Sequence, residues 1–198
     1  MGYFDEINKR AGGRDLSVRW FRSKIKELGT PDQRQLIREG LVKTRPAVGQ
    51  MNFFIYSPKY KYDRNVLPYY DQFPLIMPLQ SDNGMVMENG SFLGLNFHYL
   101  SIPMRLKLLN LITEFATDEK YDESTRFRLT WNRIKRNKLV WPCVKRYLVD
   151  HTKSPFRVID AEDMMTAVLL PVQNFKHATD GQVYNRSRQV MRRPIGGQ

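Results

Sequence analysis

The clearest periodicity in the chain lies near its start. In Asp15 to Leu28, DLSVRWFRSKIKEL, the residues Leu16, Trp20, Phe21, Ile25 and Leu28 fall on one helical stripe, with Arg19, Arg22, Lys24 and Lys26 largely off it. Gly29 is a natural stop. Thr30-Pro31-Asp32-Gln33 then carries a capping-box signature: a Thr cap, a proline at the first helical position and a Gln three residues after the cap. It predicts a short second helix to about Glu39, ended by Gly40. Both helices are only modestly apolar, so they need a body or another subunit to pack on.

From Gln50 to Leu106 the pattern changes to short aromatic or β-branched runs bounded by Pro, Asn and Gly, which predicts three to five strands joined by tight turns. The runs are MNFFIYSP, FPLIMPL and, after a Ser-Asp-Asn-Gly turn at 81–84, MVMENGSFLGLNFHYL. Pro74 and Pro78 flank Leu-Ile-Met and argue for an edge or irregular strand. Phe92, Leu93, Leu95, Phe97 and Tyr99 set mostly alternating apolar positions for the last strand. A small twisted antiparallel sheet or SH3-like barrel follows.

Ser101-Ile-Pro103 opens an apolar helix, Met104 to Phe115, with little polar face except Arg105, Lys107, Asn110 and Glu114; it is the expected core helix. Asp122 caps a predicted helix from Glu123 to about Lys138, with Phe127, Trp131 and Ile134 on one stripe. Pro142 suits the start of another short helix in WPCVKRYLVDH. FRVID, at 156–160, reads as a strand, Asp160 to Asp163 as a helix start, and TAVLLP as a strand or apolar anchor. The fold class is α+β, with several packed helices and extended arms at both ends. Residues 1–47 form a helical N-terminal arm, 48–175 the body and 176–198 a basic tail. That tail, with four arginines and no acid from Val183 onward, is expected to be disordered in isolation.

Charge changes this picture more than composition does. The 198 residues, 41% hydrophobic, suffice for one core. The net charge of +12 is distributed as +5 over residues 1–50, −1 over 51–100, +5 over 101–150 and +3 over 151–198. The β unit is neutral and its flanks are basic, which points to nucleic acid or an acidic protein surface. Arg126, Arg128, Arg133, Lys135, Arg136, Lys138, Lys145 and Arg146 would merge into one patch across two successive helices. Arg186, Arg188, Arg192 and Arg193 would lie on a flexible arm, and Arg19, Arg22, Lys24 and Lys26 on the first helix. Tyr56, Tyr60, Tyr62, Tyr69 and Tyr70 either stack on unpaired bases or, as their Pro-rich context favours, pack onto the domain.

Catalytic signatures are missing from the sequence. There is no phosphate-binding G-x-x-x-x-G-K-[ST], no G-x-S-x-G elbow, no H-E-x-x-H and no cysteine or histidine pair at metal-ligand spacing. Asn89 to Gly94 reads as a turn rather than a nucleotide loop. His98 alternates with apolar neighbours and reads as structural, against a general base as the rival. Asp160, Glu162 and Asp163 would make a divalent-metal cluster for a nuclease, but acids at a helix start complement its dipole. The single cysteine, Cys143, is expected to be buried and unpaired. No apolar run reaches the ~20 residues needed to span a bilayer, and MGYFDEINKRAGGRD lacks a secretory leader, so a cytoplasmic product is expected. No cofactor is implied.

The segments MNFFIYSPKYK, LPYYDQFPLIMPL, GSFLGLNFHYLSIPMRLKLLNLI and WPCVKRYLVDHTKSPFRVI, within Val48 to Asn174, resemble a family of small proteins of T-even-like bacteriophages with contractile tails. The resemblance implies a protein made in the bacterial host cytoplasm and carried in the virion. It implies a non-enzymatic structural or assembly role, at the tail or baseplate, with other phage structural proteins as partners in an oligomeric assembly. The alternative is a DNA-binding protein at the packaged end of phage double-stranded DNA or in the head-to-tail channel. The resemblance brings no catalytic residue with it.

Overall fold

A computed structural model describes residues 2–12, 16–81, 86–114 and 126–194. Among these, the helices are α1 (Tyr3–Ala11), α2 (Val18–Leu28), α3 (Gln33–Arg38), α4 (Ile102–Thr113), α5 (Trp131–Ile134), α6 (Met164–Leu169) and α7 (Asp180–Arg192). The strands are β1 (Val42–Lys43), β2 (Met51–Phe53), β3 (Tyr70–Asp71), β4 (Leu75–Pro78), β5 (Met87–Glu88), β6 (Ser91–Asn96), β7 (Val144–Leu148), β8 (Phe156–Ile159) and β9 (Phe175–Lys176). The main sheet runs β1, β8, β2, β4, β6, and both β5 and β7 pair with β6. Every pairing in it is antiparallel. It is an open sheet, not a closed barrel, so the fold is α+β with the sheet alternative realised.

Period-two alternation distributes side chains to the two faces of this sheet. Phe53, Leu75, Met77 and Leu95 join the large core with Leu108, Leu109 and Ile112 of α4 and Ala167 and Val168 of α6. Phe54, Ile76, Phe92, Tyr147 and Phe156 form a smaller aromatic cluster. Phe54 is at its centre, with ring centroids 4.8 Å from Phe156 and 5.3 Å from Tyr147. The β5–β6 hairpin turns on Asn89 and Gly90, whose φ values of 48° and 69° are those of the two-residue turn matched to strand twist.

Several expected elements take another form. β4 is central, between β2 and β6, not an edge. Pro78 is tolerated there because it lies beyond the last β2 partner, and Leu79 resumes bonding to the carbonyl of Leu93 at 2.9 Å. Asp32, not Thr30, caps α3, its carboxylate accepting from Arg34 and Gln35 amides. Among the described residues, the helix expected from Glu123 is present only as the four residues of α5. Residues 126–130 are extended, and the Leu129 carbonyl is held by the Gln80 amide at 2.8 Å. The helix expected at Pro142 is β7, claimed by the edge of β6. The apolar TAVLLP segment, expected as a strand or anchor, is largely α6. The cap at Asp122, the start at Asp15, the helix end at Phe115 and the 81–84 turn, including Asp82, fall wholly or partly outside the described residues.

Among the described residues neither end is an extended arm. Phe4 and Ile7 of α1, Ile25 of α2, and Leu36 and Ile37 of α3 are buried in the same core as the sheet. The tail is helical: Thr179 and Gln182 form a capping box for α7, and Val183 and Ser187, one turn apart, are buried. No helix among the described residues is long and apolar enough to cross a membrane.

α7 is tied in by Arg105, on α4, whose side chain is fully buried. Its guanidinium donates to the carbonyls of Leu100 at 2.9 Å, Leu170 at 3.2 Å and Val168 at 3.5 Å, to Gln173 Oε1 at 2.8 Å and to the Tyr184 hydroxyl at 3.1 Å. A cation thus sits on the carbonyl end of α6, where the helix dipole favours it. Arg105→Ala should cost at least about 3 kcal/mol in urea unfolding, because several charge-assisted bonds disappear and their acceptors stay buried. Arg105→Lys should recover only part of that, an ammonium having three donors where five are used.

Candidate nucleic-acid interface

A buried polar cluster forms around Asp71. Asp71 Oδ2 receives His98 Nδ1 at 2.8 Å and Asn96 Nδ2 at 3.2 Å, and Asp71 Oδ1 receives the amides of Phe73 and Asn174, each at 3.1 Å. The group joins β3, the end of β6 and the approach to β9. Burial pulls the His98 imidazole below its ordinary range despite the Asp71 charge beside it. For Asp71, burial acts upward, but His98 and the hydrogen bonds override it and the carboxyl lies below its usual range. His98 Nε2 has no hydrogen-bond partner among the described residues, and the ring is wholly inaccessible.

Two of the three acids at 160–163 are hydrogen-bonded, and Glu162 is exposed. Asp160 accepts from Gln50 at 2.8 Å, and Asp163 accepts from Asn8 at 2.7 Å. Among the described residues no three His, Cys, Asp or Glu side chains are placed to hold a metal. Burial raises the Asp163 carboxyl to about 6. Cys143 is buried and free, its thiol pushed up to about 12 by burial.

The cations expected to merge into one patch lie on several elements. Arg128, Arg133, Lys135 and Arg136 are exposed on and around α5, where Arg133 donates to the Arg128 carbonyl at 3.2 Å. Lys145 and Arg146 are on strand β7. Lys145 is drawn inward, its amine 4.0 Å from the centre of the Tyr99 ring and lowered by burial to about 8. α7 packs against the turn at Lys138–Val140, so Arg186, Arg188, Arg192 and Arg193, all exposed, share a region with Lys138. On α2, Arg19, Arg22 and Lys26 are exposed, while Lys24 is paired with Glu27 at 2.7 Å.

Arg126 lies elsewhere, beside a feature that sequence reasoning missed. Two hollows flank the exposed edge strand β1 and share Val42 as a wall. One, of about 470 Å³, is floored by Ile37, Ile55 and Pro155 and rimmed by Arg34, Arg38 and Lys153. The other, of about 670 Å³, carries Lys43, Arg45 and Arg126. Among the described residues no acid lines either hollow. The signal was present as four cations between Arg34 and Arg45 around the exposed pair Leu41-Val42, hidden by reading that stretch only for its helix.

The tyrosines divide. Tyr56 and Tyr70 are buried, Tyr69 is half-buried, and Tyr60 and Tyr62 are exposed.

The sequence pattern of the family described as phage T4 terminal DNA protecting protein matches residues 5–193. The chain belongs to that family. No individual curated protein and no solved structure matches the chain. The expected kinship with T-even-like contractile-tailed phages therefore stands, whereas the tail or baseplate placement draws nothing from the family's description.

Stability should respond to pH through two opposed groups. His98 titrates lower in the folded state than its ordinary 6.5, so the unfolded chain takes up protons first and stability falls as pH drops below about 6.5. Asp163, raised from 3.8 to about 6, adds a penalty that grows as pH rises over that interval. Asp163→Asn should therefore improve stability at pH 7 relative to pH 4 by about 2–3 kcal/mol more than in the parent chain. His98→Gln should remove the acid-side loss below 6.5; urea titrations across pH 4 to 7 check both.

Proposed function

We propose that the protein binds the ends of linear phage duplex DNA and shields them by occupying them, without making or breaking bonds. The observation that carries this reading is membership, over residues 5–193, of a family described as terminal DNA protecting. The distribution of cations supports it. Phosphate neutralisation needs Arg and Lys at the surface, and the hollows beside β1 and the outer face of α7 supply them. The inward-drawn Lys145 contributes field more than contact. In the phage the protein would sit at the packaged DNA end, in the head or the head-to-tail channel, in place of the tail or baseplate role first expected.

Protection is tested by mixing the protein with linear duplex and an end-dependent exonuclease. Digestion should slow in proportion to occupancy, and covalently closed circular DNA should compete poorly at equal mass. Equal competition by the circle, or unslowed digestion, would sink the proposal, and cleavage of DNA by pure protein with magnesium would sink its non-enzymatic part.

Binding should also weaken by about 10³-fold or more between 50 and 200 mM salt if six or more phosphates are neutralised. Replacing Arg186, Arg188, Arg192 and Arg193 by Gln should reduce the slope of log affinity against log salt by about one for each phosphate that no longer has an arginine beside it. An unchanged slope would remove α7 from the interface.

A further inference from the structure

The loop between β2 and β3 combines exposed aromatic rings with cations. Tyr62 is 86% exposed, Tyr60 50% and Val66 58%, so three of the large apolar side chains left open by the fold stand on one loop. Lys59 and Lys61 lie over the two rings, their amines 5.4 Å from the Tyr60 centre and 5.0 Å from the Tyr62 centre. The loop is internally braced. Asp63 Oδ1 accepts from the amides of Asn65 and Val66, the Leu67 amide bonds to the Asp63 carbonyl at 2.8 Å, and His177 Nε2 meets the Lys61 carbonyl at 2.9 Å. Its rings are therefore held out on a supported turn rather than on a loose strand.

The stems of the loop connect it to both cation groups already described. On one side Ile55 is part of the hollow rimmed by Arg34, Arg38 and Lys153. On the other, the Tyr69 ring lies 6.0 Å from that of Tyr99, in a turn that packs against α7. Two exposed tyrosines, each with a lysine over its ring, have a specific physical use at a DNA terminus. The interior of a duplex offers a protein only groove edges and phosphates, whereas an end also offers the face of its last base pair, open for stacking.

Building on the function proposed above, we propose that Tyr60 and Tyr62 cap the terminal base pair of duplex DNA by stacking, while the cations at the two stems take the phosphates of the last nucleotides. Lys59 and Lys61 leave the ring faces for phosphates as the base pair takes their place. This assigns selectivity for ends to the loop and general affinity to the flanking arginines. The loop tip is exposed, so its side chains can be changed without disturbing the core.

The test uses the full chain with two duplexes of the same length, one blunt-ended and one closed at both ends by hairpin loops so that no terminal pair is open. The parent protein should bind the blunt duplex about tenfold more tightly than the closed one, in the range that stacking on one base supplies. Tyr60→Ala with Tyr62→Ala should bring that ratio close to one with closed-duplex binding unchanged. Tyr60→Phe with Tyr62→Phe should keep it. 2-Aminopurine placed in the terminal pair should change its fluorescence with the parent and not with the Ala variant. If the Ala variant keeps the preference for blunt ends, the loop is not the cap, although the proposed function survives. If it loses affinity equally for both duplexes, the tyrosines act through general contact and stacking is overturned. A parent chain with no preference for open ends overturns both this assignment and the end-binding function.

Discussion

Much of the structure depends on one buried cation. The Arg105 guanidinium has five N–H groups, and each finds an oxygen, from the Leu100 carbonyl on its own side of the core to the Tyr184 hydroxyl on the last helix. Taking a guanidinium out of water is costly unless every donor is met, so the helices that bring those oxygens must be in place together. Gln173, which accepts from Arg105, also donates to Asp180 at the start of α7, and the charges of Asp71 and Asp180 further offset the buried positive charge. A tail that looks too polar to fold becomes part of the body because it completes this coordination.

The remaining positive charge is arranged differently, at the surface and on several elements. The edge strand β1 and α7 each carry a share of it, and the Tyr60–Tyr62 loop springs from between them. Exposed arginines alone would hold any stretch of duplex equally, since phosphates are the same everywhere. Discrimination requires a second kind of contact, and exposed rings beside cations are a sequence-tolerant way to make one.

Elements with their own local signals were legible in the sequence. The stripe of α2, the Asn89-Gly90 hairpin, the Ser101-Ile-Pro103 entry to α4 and the FRVI strand all appear as expected. α1 was readable but overlooked: Phe4, Ile7 and Ala11 lie on one helical face, with Asp5 and Glu6 in the first turn and Lys9 and Arg10 in the last. α7 carried a capping box at Thr179 and Gln182 that its arginine content obscured. β7 and α6 were not legible, because short apolar runs take the conformation their neighbours need: the free edge of β6 for one and the packing surface of α4 for the other. For the candidate site, the right residue types were evident and their grouping was not. Burial separates Tyr56 and Tyr70 from Tyr60 and Tyr62, and nothing in the local sequence of those four records it.

The position of β8 has a consequence for biosynthesis. Residues 156–159 insert between β1 and β2, strands made roughly a hundred residues earlier, and pair with both. A ribosome adding about 5–20 residues per second leaves those strands without their shared neighbour for on the order of ten seconds. During that interval each presents an open hydrogen-bonding edge, the kind of surface that pairs with the wrong chain. The strands around β8 can pair fully only after residue 159 has been made, so β1 and β2 are exposed to mispairing for longer than strands joined by a short turn.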